Sequence, residues 1–434
     1  MEKLAINGGS KIRNKPFPAY KVINSKEIKA VEKVLKSGIL SKFLGSWDPG
    51  FYGGPQIKAV EKEWARYFKV KHAISVNSCT SGLYCAVGAC GIGPGDEVIV
   101  SPCTMSASAT SILVFNAIPV FADIEEDYFC LDPKSVEKRI TKYTKAILVV
   151  DIYGQPYDRE KINALAKKHN LYIIEDCAQA IGATYREEYA GTLGDIGVFS
   201  LNYHKHIHTG EGGMVVTSND KLAERIRLIR NHAEAVVGKM GVNNLVNMIG
   251  FNFRMTEIEA AIARCQLLKL KNLLKKRTSN ANYIAEKLKS LPGIIPPALR
   301  RGCSNVYYIQ CFKYDENIVG ISRNKFINAV KAELAPTKGR EREGILIAAR
   351  GGKPLYLQPI YQKMIAYGKK GCPFKCPWYK GKPNYKKGIC PVAEDLNNKQ
   401  LFQLDLIHAS MEKKDLDDVI KAFEKVYKLR KTIK

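Results

Sequence analysis

Between about residues 73 and 215, six short apolar runs alternate with stretches of helical pattern, and no other feature narrows the possible folds as far. HAISV, DEVIV, IPVFAD, AILVV, LYIIED and GVFSL lack the polar alternation of half-exposed strands, so they belong to a sheet buried on both faces. The intervening SGLYCAVGACG and REKINALAKKHN carry the spacing of crossover helices. Such units build a mostly parallel sheet with helices on both faces, and ligands gather at the carboxyl ends of its strands.

A chain of 434 residues suits a large domain with a smaller companion. Thr256 and Glu259 in MTEIEAA have capping-box spacing and open a long helix, expected to run with interruption to LPG at 291–293. The expected division is a large domain over 1–255, a connecting helical region over 256–293 and a small domain over 294–434. The small domain should end in an amphipathic helix from about Lys414, and the polar, glycine-rich loop 336–353 should be mobile. No run approaches the roughly 18 apolar residues that cross a bilayer, and MEKLAINGGSKIRNK lacks a signal-peptide core. A cytoplasmic protein without a membrane partner is therefore expected.

The twelve cysteines are expected as free thiols. Cys372, Cys376 and Cys390 lack the second close pair or nearby histidine of a metal site, so no metal is expected. The formal charge of +26 is uneven: residues 1–250 hold 31 Lys+Arg against 26 Asp+Glu, and residues 251–434 hold 37 against 16. A basic half of this kind could attract nucleic acid, a membrane surface or a phosphorylated substrate. The lysines spread over helix faces and loops, as on a solvated surface. There is no zinc-finger spacing, RNP motif or helix-turn-helix, so no nucleic-acid partner is expected.

Three segments carry candidate chemistry. Asp176 ends the run LYIIED, where a partly desolvated carboxylate needs a cation or donor, and a protonated pyridine nitrogen is such a partner. Gln179, three residues on, can reach the neighbouring ring hydroxyl. Lys205, just past GVFSL, enters the same rim, where partial burial equips an amine for imine formation and proton transfer. NSCTSG (77–82) opens a helix with Thr80 and Ser81 in its first turn, a setting that favours an anion, and Ser200 adds a hydroxyl. Each has a plainer reading: a helix cap or ion pair for Asp176, a capped helix without ligand for NSCTSG, and satisfied hydrogen bonds for His204, His206 and His208.

Taken in order, these pieces resemble the fold-type-I pyridoxal phosphate enzymes, specifically the DegT–StrS family of sugar aminotransferases. The resemblance begins at LAINGGSKIR and is dense from GIGPGDEVIVSP to TGEGG. It continues through GFNFRMTEIEAAIARCQLLKL and weakens in KPLYLQPIY and CPVAEDL. It implies an α/β fold of fold-type-I aminotransferase type, a mostly parallel central sheet flanked by helices plus a smaller α/β C-terminal domain. It also implies pyridoxal 5'-phosphate as cofactor, covalently held by Lys205, with Asp176 on the pyridine nitrogen and Gln179 on the ring oxygen. Thr80, Ser81 and Ser200 correspond to the phosphate-binding residues. The asparagine of NFRM, Asn252, corresponds to one that reaches the phosphate from the other subunit, so the resemblance implies a homodimer with shared active sites. Met105 stands where an aromatic usually covers the ring, Cys79 where glycine is usual, and Asp151 where histidine is common. KFLGSWDPGFYGGP (42–55) lies where the family approaches its sugar.

The implied reaction takes an amino group from glutamate or glutamine to a keto-sugar, nucleotide-linked, with a keto-inositol acceptor left open. Sugar dehydration on the same scaffold replaces the lysine by histidine, and Lys205 argues against it. A non-catalytic regulator would have no need of the intact lysine, aspartate and phosphate set.

Overall fold

The computed structural model describes residues 2–433, which hold two sheets of unequal size. The alternating region supplies β1 (His72–Val76), β2 (Glu97–Val100), β3 (Ile118–Phe121), β4 (Thr144–Val150) and β5 (Tyr172–Asp176). A short hairpin, β6 (Thr184–Tyr185) and β7 (Glu188–Tyr189), precedes β8 (Ile196–Ser200) and β9 (Gly213–Thr217). Without the hairpin, seven strands pair in the order β1-β9-β8-β5-β4-β2-β3. All six expected strands are present. The seventh, GMVVT, runs antiparallel to both neighbours and the other six run one way. Apolar patterning reports burial and not direction, so the reversal leaves no mark in it.

Alternation along β8 and β9 feeds two apolar layers. Val198 and Val215 face the layer containing Leu83 and Ile226, while Phe199, Met214 and Val216 face the layer containing Trp64, Phe68 and Leu270. The parallel strands all end at one rim, where Gly213 pairs with Val76 on one side and Ser200 on the other. A Cβ on Gly213 would lie 2.6 Å from the carbonyl carbon of Ser78, so only glycine lets the turn after β1 pack this closely.

The second sheet contains β10 (Ile294–Ile295), β11 (Gln310–Tyr314), β12 (Ile347–Ala348) and β13 (Leu401–Leu404), antiparallel in the order β10-β11-β13-β12. Phe312 and Phe402 stack at 5.1 Å in its core, beside Phe326 and Phe423 from helices Arg323–Ala332 and Lys413–Leu429. The loop expected to be mobile is partly ordered by pairing. Ile347–Ala348 joins β13, and Arg340 bonds both Glu343 and Asp405.

One helix, Glu257–Leu288, links the two sheets and runs without the expected interruption. Its Thr256–Glu259 capping box forms as the spacing predicts. Early residues such as Ala263 and Leu270 pack beside Trp64, and Ala281, Ile284 and Leu288 pack in the small core. Glu257 is buried and also accepts from the N–H groups of Gln56 (2.7 Å) and Ile57 (3.4 Å), capping the helix Pro55–Phe68.

Packing does not follow sequence order throughout. Leu4 and Phe17 belong to the small core, whereas Tyr356, Tyr361, Phe374, Tyr379 and Tyr385 belong to the core of the seven-stranded sheet. A division at residue 293 assigns both segments to the other unit. We propose the packing as the better guide to which parts move together. Among the described residues no helix is long and apolar enough to cross a membrane.

Candidate active site

The rim formed by the ends of β1, β5 and β8 collects most of the residues singled out from sequence. Asp176 is the last residue of β5 and Ser200 the last of β8, while Ser78 follows β1 as the N-cap of helix Cys79–Ala89. Lys205 follows β8 in the loop that returns as β9. Parallel strands make this convergence automatic, because every carboxyl end opens to the same side.

Asp176 is buried, and its carboxylate accepts from the Ser108 hydroxyl (2.7 Å) and the Ala178 N–H (3.1 Å). Burial pushes its pKa up, while these two donors and the nearby Lys205 charge pull it back. The Lys205 Nζ lies 4.1 Å from the centre of the Tyr308 ring, an aromatic wall that holds the amine end in place. Gln179 accepts the Tyr153 N–H through Oε1 at 2.8 Å, which leaves its Nε2 free to donate.

At the helix N-terminus, Ser78 Oγ accepts the Ser81 N–H at 3.0 Å, and the Ser81 hydroxyl donates to Asn77 Oδ1 at 2.6 Å. The first backbone bond of the helix runs from Gly82 N–H to Ser78 O. The N–H groups of Cys79 and Thr80 precede it and have no partner within the helix. Ser200 Oγ accepts the Asn202 N–H at 3.3 Å and keeps its own proton to donate.

Two expected residues stand apart. Met105 occupies the N-cap position of helix Ser106–Val114 with 67% of its surface exposed, and the contact to Asp176 comes from Ser108 one turn later. Asn252 is exposed, its Oδ1 accepting from Arg254 Nε at 2.8 Å, and its carbonyl lies 3.5 Å from Asn77 Nδ2 of the same chain. Ser108 and Tyr308 were not anticipated. Ser108 sits within a small-residue helix and Tyr308 comes from a remote loop, so neither carries a sequence signal toward Asp176 or Lys205.

Of the histidines around Lys205, His206 is a packing residue, and His204 and His208 are half-buried. His206 is buried, donates through Nε2 to Val306 O (3.0 Å), and is held neutral by burial and the Arg277 charge. Burial likewise lowers His204 and His208. Asp151, buried behind Asp176, accepts from Tyr157 N–H (2.9 Å) and Cys177 Sγ (3.2 Å). With Glu175 and Cys177 it forms the one group among the described residues whose possible ligand atoms lie within 4.8 Å of one another. Glu175 already takes the N–H groups of Gly191, Leu193 and Gly194, so this is a hydrogen-bonded knot and not an open cage for an ion. Cys390 is buried, and Cys372 and Cys376 are half-buried.

A cavity of about 170 Å³ beside Gln179 is also lined by Thr104, Tyr153, Gln403, Gly351 and Asn397. Gly351 and Asn397 also line a larger cavity of about 850 Å³ that contains Arg350, Lys353 and Lys387. The adjoining cavity is thus lined by three cations and one carboxylate, Glu394.

Comparison with known proteins gives a consistent picture. The profile of the DegT/DnrJ/EryC1/StrS aminotransferase family matches residues 21–374. The spore coat polysaccharide biosynthesis protein SpsC of Bacillus subtilis is 33% identical over 94% of this chain and 96% of its own. The L-glutamine:2-deoxy-scyllo-inosose aminotransferase of Micromonospora echinospora is 32% identical over 98% of each. Among solved structures, an aminotransferase from Psychrobacter cryohalolentis superposes with a TM-score of 0.80 at 28% identity, covering 95% of this chain and 99% of that one.

Proposed function

The chain belongs to the DegT/DnrJ/EryC1/StrS aminotransferase family and is a pyridoxal phosphate-dependent sugar aminotransferase, and we propose that it moves an amino group from glutamate or glutamine to a nucleotide-linked keto-sugar. The observation that carries the transamination is the pair at the rim: a buried Asp176 whose hydrogen-bond donors, the Ser108 hydroxyl, the Ala178 N–H and the Cys79 thiol at 4.0 Å, are all neutral, and Lys205 close enough to lower its pKa.

These residues fit the cofactor. A carboxylate raised by burial and bonded to neutral donors is suited to a protonated ring nitrogen, which supplies the charge the Ser108 and Ala178 donors lack. Lys205 would bind the aldehyde carbon, and the free Nε2 of Gln179 the ring oxygen. The phosphate would fall to Thr80 and Ser200 with the N–H groups of Cys79 and Thr80, because the Ser81 hydroxyl and N–H are already engaged. When bound, the cofactor supplies an electron-accepting cationic ring. Asp176 keeps that ring protonated. Lys205 Nζ removes the proton from the donor's amino-bearing carbon and, in the second half-reaction, delivers one to the acceptor's former carbonyl carbon. Tyr308 and the buried His206 hold the Lys205 loop while this happens.

Arg350, Lys353 and Lys387 support an acceptor with a phosphate tail, since these cations line the cavity that shares Gly351 and Asn397 with the one beside Gln179. The inosose aminotransferase similarity favours a second reading, a neutral keto-inositol acceptor. The N-terminal helix Ser25–Ser37 exposes Ile28 and Leu35 on an apolar groove that also includes His208 and Gly210, close to Lys205. This open apolar groove supports a homodimer in which a second copy would cover it and Asn252 would complete the partner's site.

The test begins with absorbance of the purified protein with cofactor. Glutamate or glutamine should move its long-wavelength band, near about 420 nm, to about 330 nm, and Lys205→Ala should abolish the shift. Turnover is then measured with a nucleoside-diphosphate keto-sugar and with a keto-inositol. The first reading predicts that Lys353→Ala with Lys387→Ala raises KM for the phosphorylated acceptor about tenfold. Efficient use of the inositol alone, unaffected by those changes, establishes the second reading. A band that no amino donor shifts removes the basis of both.

A further inference from the structure

Residues 353–387 contain nine lysines and no arginine, aspartate or glutamate. The segment is a strap along the outer edge of the large sheet. Its inner side is aromatic: Tyr379 donates to Glu97 (2.6 Å), Tyr385 donates to Pro119 O (2.9 Å), and Tyr361 meets Phe121 edge-on at 5.2 Å. Its outer side is cationic. All nine lysines are exposed, and none takes part in an ion pair among the described residues. Lys353 and Lys387 line the cavity described above. The other seven, between 363 and 386, have no role in that site.

Seven like charges within 24 residues repel one another, and the strap supplies no acid to offset them. Their arrangement therefore fits an anionic partner. Amid them Trp378 is 73% exposed, Ile365 46% and Tyr367 42%, an apolar component that charge alone does not need. Two further observations select the partner. Nucleic-acid readers favour arginine, whose planar fork matches phosphates and base edges, and the strap has none. Lysine point charges attract the diffuse charge of an anionic leaflet, while tryptophan and tyrosine settle at headgroup level.

We infer that the 363–386 strap docks the enzyme on an anionic phospholipid surface without crossing it. This departs from the expectation of no membrane partner, which rested on the absence of a spanning segment and on a spread of lysines over helix faces and loops. The strap concentrates them instead.

Sedimentation of the full-length, cofactor-loaded protein with vesicles tests the inference. Wild type should pellet with phosphatidylcholine vesicles carrying about one-third phosphatidylglycerol, not with phosphatidylcholine alone, and about tenfold less in about 0.5 M than in about 0.1 M salt. Replacing Lys369, Lys370, Lys375, Lys380 and Lys382 by Gln should weaken binding at least tenfold. Trp378→Ala should weaken it about fivefold with charge unchanged. Aminotransferase turnover should stay at the wild-type level in both variants, which separates this surface from the active site. The inference is overturned if wild type ignores anionic vesicles at low salt, if either variant binds as wild type does, or if DNA at the same salt is retained more tightly than vesicles.

Discussion

Behind Asp176, the buried pair Asp151 and Glu175 holds protons to an unusually high pH. Burial raises Asp151 from 3.8 to about 7, and burial together with the neighbouring Asp151 charge raises Glu175 from 4.5 to about 8. In the unfolded chain both ionise near their ordinary values. Between about pH 4 and pH 8 the folded protein therefore binds more protons than the unfolded one, and stability declines as pH rises across that interval. Asp151→Asn keeps an acceptor for Tyr157 N–H and removes one of the two titrating groups. Urea unfolding should show it gaining on wild type by about 1–3 kcal/mol between pH 5 and pH 8. Parallel pH profiles for the two proteins contradict this assignment. At this scale the sequence is informative where a reactive residue ends a strand. Asp176, Ser200 and Lys205 stand out because β5 and β8 themselves stand out. Ser108 and Tyr308 touch the same groups from positions with no local pattern, and contact across the fold is not written in spacing.

Among the elements, the join between two helices is exposed to single changes. Thr256 caps only its own helix through Glu259, whereas Glu257 opens that helix and caps Pro55–Phe68 as well. Gly54 fits there because a Cβ would lie 2.6 Å from Glu257 Oε1. Thr256→Ala should cost about 1 kcal/mol and Glu257→Ala about 2–3 kcal/mol, since a buried polar cluster loses its acceptor. Denaturation midpoints decide the order, and faster hydrogen exchange at Gln56 and Ile57 should appear only in the Glu257 variant. Equal costs with unchanged exchange would mean that the second cap carries no energy. The long helix, its capping box, the C-terminal helix and six of the seven large-sheet strands are legible from periodicity. The destination of residues 355–396 is not. Their Gly, Pro and aromatic composition has no period, and pairing of Tyr379 with Glu97 depends on a partner far away in sequence.

For the whole molecule, a shared site predicts complementation between two inactive variants. In a dimer of one Lys205→Ala chain and one Asn252→Ala chain, one of the two sites keeps both residues intact. Refolding an equal mixture should return about a quarter of wild-type activity, from half the dimers each with one working site. No recovery, with exchange of subunits verified, would place Asn252 in its own chain's site. The placement of β9 has a different consequence, during synthesis. β1 is complete at Val76, but its partner among the described residues begins at Gly213. At 5–20 residues per second, about 7–30 s pass while the ribosome extends the chain between those points. Throughout that time both edges of β1 lack a neighbour, and from Ser200 onward so does the edge of β8 that β9 covers. A nascent chain stalled before Gly213 therefore presents open sheet edges, and translation speed across this interval governs how long it depends on chaperones.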